Sequence, residues 1–165
     1  MKRLKYLFYV LILFLLLLNF YQNYIFYRIP YNPLAELSTD IPTKFYLNLN
    51  GPNGVTLSKS SYNLDDNTLI FDYFEKLNLM PLKEKRHRDE IYKHDTESYY
   101  SCGFRFGDLK YSFVYITEVY LDDLTVLSIR SDIPKFKNGY YKIIDSKFDY
   151  EYINSILNSS QWRGC

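Results

Sequence analysis

Alanine is almost missing from this chain: Ala35 is its only one. The stretch behind the N-terminal apolar run, Asn19-Phe20-Tyr21-Gln22-Asn23-Tyr24-Ile25-Phe26-Tyr27, likewise contains no Ala, Gly or Ser. A secretory leader is cut at small residues just after its apolar core, so this stretch offers no cleavage site. Cysteine is scarce, with two in the chain, and neither stands close behind the apolar run. That removes a lipid-anchored reading. The nucleophile elbow of serine hydrolases, a glycine-rich nucleotide-binding pattern and the Lys-Ser/Thr of a phosphate-binding loop are all lacking. Glu118 is the one carboxylate set inside an apolar strand pattern, and a lone carboxylate is no glycosidase pair.

Charge is absent between Lys5 and Arg28, which leaves 22 uncharged residues. At about 1.5 Å of helical rise each they reach roughly 33 Å, enough for a hydrocarbon core about 30 Å thick. Without a cleavage site, and with Tyr21, Tyr24 and Tyr27 placed like an interfacial aromatic belt, the segment reads as a retained signal-anchor helix. A cleaved leader, yielding a soluble secreted protein, is the competing reading. Lys2, Arg3 and Lys5 precede the run and only Arg28 follows closely, so the positive-inside tendency keeps the N-terminus cytoplasmic. The remainder is then extracytoplasmic. All 19 acidic residues and 16 of the 20 basic ones lie after Pro30, so the exported part carries a net −3. Such a balance excludes nucleic acid as a partner.

The segmentation that follows is a basic tip at 1–5, a transmembrane helix at 6–27, a proline-containing stalk at 28–43, one α+β domain at 44–158 and a polar tail at 159–165. A strand-like segment lying across the domain is the other reading of 28–43. The sequence has 19 Tyr and 12 Phe, but its richness in Lys, Asn and Ile beside one Ala marks a compositional bias, which weakens any claim for a sugar-binding or base-stacking surface. Lys44 to Asn50 alternates as a strand, Gly51-Pro52-Asn53-Gly54 turns, and Val55 to Ser58 returns. Asp65-Asp66-Asn67-Thr68 supplies capping oxygens to a helix whose buried stripe is Leu69, Ile70, Tyr73, Phe74 and Leu77, with Asn78 and Pro81 bracketing its end. From Tyr99 the pattern is a meander of strands: Tyr100, Cys102, Phe104 and Phe106 share one face, and Tyr111 to Tyr120 is apolar on both faces, as a strand covered on two sides would be. Leu124 to Arg130 and Tyr140 to Ile144 follow, and Asp145 or Ser146 caps a closing helix with Phe148, Tyr152, Ile153, Ile156 and Leu157 inward.

The fold class expected is therefore α+β, a mostly antiparallel β-sheet with two amphipathic helices on one face, preceded by one N-terminal transmembrane helix. Both histidines fall in the polar stretch 83–98. On a helix, His87, Glu90, His94 and Glu97 would share a face and offer a set of metal ligands, although Arg88 stands where a zinc-protease helix has its general base. Cys102 and Cys165 are the only disulfide candidates, and Cys102 on a core face favours a free thiol. The function expected is non-catalytic and needs no cofactor. It is that of a membrane-anchored protein whose exported domain binds another protein or helps an envelope complex assemble. The alternative is a metal-binding sensor or small metal-dependent enzyme built on His87 and His94 with nearby acids.

Overall fold

The computed structural model describes residues 2–37, 41–83, 98–107, 112–120, 123–134 and 136–161. Helix α1 (Lys2–Phe20) is about 28 Å long and continues through a wide π-turn at Tyr21–Ile25 and a tight turn at Phe26–Arg28. Asn23 closes the wide turn by donating to the Asn19 carbonyl at 2.9 Å. All side chains from Arg3 to Ile25 are exposed, so nothing among the described residues covers this apolar surface. By length and composition the span Arg3–Arg28 can cross a membrane.

Among the described residues, the elements that follow are β1 (Pro42–Gly51), β2 (Gly54–Ser61), α2 (Leu64–Glu75), β3 (Leu79–Leu82), β4 (Tyr99–Phe106), β5 (Ser112–Tyr120), β6 (Val126–Ser131), β7 (Gly139–Ile143) and α3 (Tyr150–Gln161). The seven strands form one sheet in the order β2-β1-β4-β5-β6-β7-β3, antiparallel at every step. This is the α+β class expected. Strands β4 to β7 are a meander, whereas β3 closes the far edge beside β7. The sequence hid β3, because Pro81 argues against a strand. Proline is tolerated there because β3 is an edge with a neighbour on one side only.

One face of the sheet is dry. Phe45 and Leu47 of β1, Cys102 and Phe104 of β4, Val114 and Ile116 of β5, and Leu127 and Ile129 of β6 are all fully buried. Phe104 is the hub: Phe45 lies 4.9 Å from its ring, and Phe71 and Phe74 of α2 meet it edge-on at 5.2 and 5.5 Å. Phe74 also touches Phe148, just ahead of α3, and Tyr73 touches Tyr152 within it. Lys59 of β2 donates to the side chains of Asn154 and Asn158, which ties α3 to the opposite edge. Between Tyr100 and Cys102 the register slips, so that Val119 and Ile116, three residues apart, both point inward.

Several local expectations need correction. The buried side of α2 is Asp66, Asn67, Ile70, Phe71 and Phe74; Leu69 is half-exposed. The helix is turned because the aromatic Phe71 fits Phe104 and Phe106, which outweighs the smaller Leu69. Its cap is Asn63, which accepts from the Asp65 amide at 2.9 Å. Helix α3 begins later than expected, with Asp149 accepting from the Tyr152 amide, and Tyr152 stays 40% exposed. Strand β5 is covered on one side only: Tyr115 is 41% exposed while Val114 and Ile116 are buried.

The proline-containing stretch packs on the domain. Leu34 is fully buried and Leu37 nearly so, and the Tyr31 amide donates to the Leu79 carbonyl at 2.7 Å, extending the β3 edge. The side-chain amide of Asn32 is shared among the carbonyls of Phe74, Glu75 and Leu77 at 2.8 to 3.0 Å, and its oxygen accepts from the Leu34 amide at 2.9 Å. The end of a helix leaves carbonyls without intrahelical partners, and Asn32 satisfies them from outside. Asn32→Ala is expected to lower the stability of the folded domain by about 1–3 kcal/mol, read as an earlier loss of near-ultraviolet circular dichroism on heating the full chain in detergent.

Candidate functional site

The second face of the sheet carries a different chemistry. Cross-strand register places Ser60, Tyr46, Gly103, Tyr115 and Arg130 in one row over β2, β1, β4, β5 and β6. The next row holds Lys44, Arg105 and Phe113. Phe113 stacks on Tyr115 at 5.6 Å and 18°, and the Arg105 guanidinium sits 5.9 Å from the Phe113 ring centre. A Cβ at position 103 would lie 2.6 Å from the Tyr46 ring, so glycine is what lets that ring lie flat over β4. Burial pushes the Tyr46 phenol up, so it stays protonated as a hydrogen-bond donor. Rigid rings beside guanidinium groups offer a large contact area at low entropic cost, suited to gripping a partner surface.

Beyond Arg130 this face meets a cavity of about 290 Å³ where the apolar helix ends. Its walls are Phe26 and Tyr27 from the tight turn, Pro81 and Leu82 from β3, Arg130 from β6, and Asn138 to Tyr141 at the start of β7. Asn138 shapes the rim. Its side chain accepts from the Ser131 amide at 2.7 Å and donates to the Ser131 carbonyl, which bonds the β6–β7 connection to itself. Two further cations rest on the aromatic wall: Lys137 Nζ lies 5.4 Å from the Phe26 ring, and Lys83 Nζ lies 5.1 and 5.5 Å from Tyr24 and Tyr27. Burial pushes the Tyr141 phenol up, with the Glu36 charge adding to it, and its hydroxyl donates to the Lys137 carbonyl at 2.6 Å. Glu36 itself accepts from the Tyr31 hydroxyl at 2.7 Å.

The residues singled out from the sequence fare differently. His87, Glu90, His94 and Glu97 lie outside the described residues, and among the described residues no group of three His, Cys, Asp or Glu side chains could hold a metal ion. Cys165 is also outside them, and its pairing with Cys102 with it. Cys102 sits fully buried beside Leu47 and Ile116, and burial pushes its thiol up. An un-ionised thiol is no nucleophile. Glu118 belongs to β5. Asp65 and Asp66 occupy the first turn of α2. Sequence reasoning missed Tyr46, Tyr115 and Arg130 as a set, because their row exists only once five strands are in register.

Comparison with known proteins finds no family model that matches the chain, and no curated protein and no solved structure matches it. What the fold defines is a class alone: an α+β domain on an antiparallel sheet, led by an apolar helix.

The buried thiol has a consequence for stability. A thiol held above its ordinary value near 9 favours folding below that pH. The contribution fades as pH rises past it, because the unfolded chain ionises and the folded one resists. Thermal melts from about pH 7 to 11 are expected to show a falling Tm above about pH 9, with a shallower fall in Cys102→Ala.

Proposed function

We propose that this is a single-pass membrane protein with a cytoplasmic N-terminus and an extracytoplasmic domain. That domain works without catalysis, by binding another protein or helping an envelope complex to assemble. The observation that carries the reading is the Tyr46, Tyr115 and Arg130 row, partly exposed on a sheet whose other face is fully packed. Tyr and Arg are enriched where interfaces concentrate their binding energy. Retention of the helix is supported by its wholly exposed apolar surface and by the docked segment that follows it, which leaves no free linker beside the membrane. A lipid bilayer and a protein in the envelope are thus the two partners.

Two measurements test this. Protease added to intact spheroplasts is expected to remove the domain, while Met1-Lys2 is recovered from the membrane fraction; protection until lysis would reverse the topology. A photo-crosslinking residue at position 115 is expected to give a discrete adduct in membranes, and the same residue at the exposed position 152 on α3 none. Equal adducts at both positions would remove the sheet face from the interaction.

A further inference from the structure

We propose that the cavity at the end of the apolar helix is a binding site for a phosphate group, and that the phosphate belongs to an anionic lipid headgroup. The inference rests on the helix being retained in the bilayer, and four observations lead to it.

The first is depth. Phe26 and Tyr27 form one wall and directly precede Arg28, the charged boundary of the span. The headgroup layer on each side of a bilayer is about 5–8 Å deep, and aromatic side chains settle there, so the cavity opens at headgroup level. The second is charge. Arg130 lines the cavity, no carboxylate among the described residues does, and Lys83 and Lys137 stand on the rings that wall it. None of these three cations is paired with a carboxylate of a described residue. Among the described residues Glu36 is the carboxylate whose charge reaches this wall, at Tyr141, so three cations outnumber it and the hollow favours an anion.

The third is the orientation of the guanidinium. Arg130 Nε donates to Ser128 Oγ at 3.3 Å and its Cζ lies 5.9 Å from the Tyr140 ring centre, which steadies the group while its outer nitrogens meet no hydrogen-bond partner among the described residues. Such a planar fork matches two phosphate oxygens at once, giving a charge-assisted pair of hydrogen bonds. The fourth is size. About 290 Å³ is near the lower end of ligand pockets, room for a phosphate and part of its glycerol but not for a nucleotide or a folded partner. The apolar side of the cavity, Leu82 and Pro81, suits the carbon of such a headgroup.

The test uses the full chain in detergent, incubated with phosphatidylglycerol or phosphatidylcholine and examined by native mass spectrometry. One phosphatidylglycerol is expected to be retained in preference to phosphatidylcholine. Loss of a charge-assisted contact in Arg130→Gln should weaken retention about tenfold or more, with Lys137→Gln weaker to a lesser degree and Arg130→Lys intermediate. Circular dichroism of each variant separates lost binding from lost folding, and Lys137→Gln, at an exposed side chain, serves where Arg130→Gln fails to fold. Equal retention of the two lipids, or retention unchanged in both glutamine variants, overturns the site. Binding of inorganic phosphate that depends on Arg130, without selective lipid retention, overturns the lipid assignment in favour of a free phosphate. Resistance of the wild-type chain to carbonate extraction from membranes is measured alongside. Extraction would defeat the anchor reading, whereas a firmly anchored chain without lipid preference defeats the headgroup site alone.

Discussion

The side-chain amide of Asn32, shared among three carbonyls at the end of α2, is a small polar knot on which the placement of the whole domain depends. Without it, two prolines and a short chain would join the apolar helix to the sheet as a tether. With it, the segment from Tyr31 to Leu37 becomes part of the body, since the knot holds Leu34 and Leu37 in position to bury their side chains in the core. Each buried leucine contributes about 1.5–3 kcal/mol, and with the hydrogen bonds of Tyr31 and Asn32 this burial opposes the entropy of releasing the segment. The consequence is geometric: the β3–β7 edge sits beside the end of the apolar helix because both meet the same strap, the Tyr31 amide bonding to Leu79 and the Tyr31 ring packing on Phe26.

That placement gives the two faces of the sheet different work. The inner one is a stack of rings around Phe104 with a protonated thiol among them, and it is chemically inert. The outer one carries cations and tyrosines held at fixed spacing by strand register. An antiparallel sheet can leave one side to solvent or to a partner, which a buried parallel sheet cannot. Gly103 shows how finely the outer face is arranged, since a single added carbon would displace the Tyr46 ring.

Much of the architecture was legible in the residues themselves. Alternation in β4 named the core side chains Tyr100, Cys102, Phe104 and Phe106 correctly, because a strand's two-residue period leaves no choice of face once one side is buried. The α+β class and the apolar helix were legible for similar reasons. The helices were read less well. A stripe at 3.6-residue spacing tolerates a rotation, and Phe71 instead of Leu69 won the inward position through its fit against two rings that lie 33 and 35 residues away in sequence. Strand β3 went unseen because its only strand-forming neighbour, β7, is remote in the chain, and Pro81 spoke against it locally.

Taken alone, the sequence determined the apolar helix, the class of fold, the alternation of the core strands and the absence of known catalytic signatures, since each of these is a matter of neighbouring residues and short periods. Tertiary structure decided the docking of the segment behind the helix, the row from Ser60 to Arg130 and the cavity where the apolar helix ends. Those features join residues that are tens of positions apart, and only hydrogen-bond register and side-chain packing bring them together.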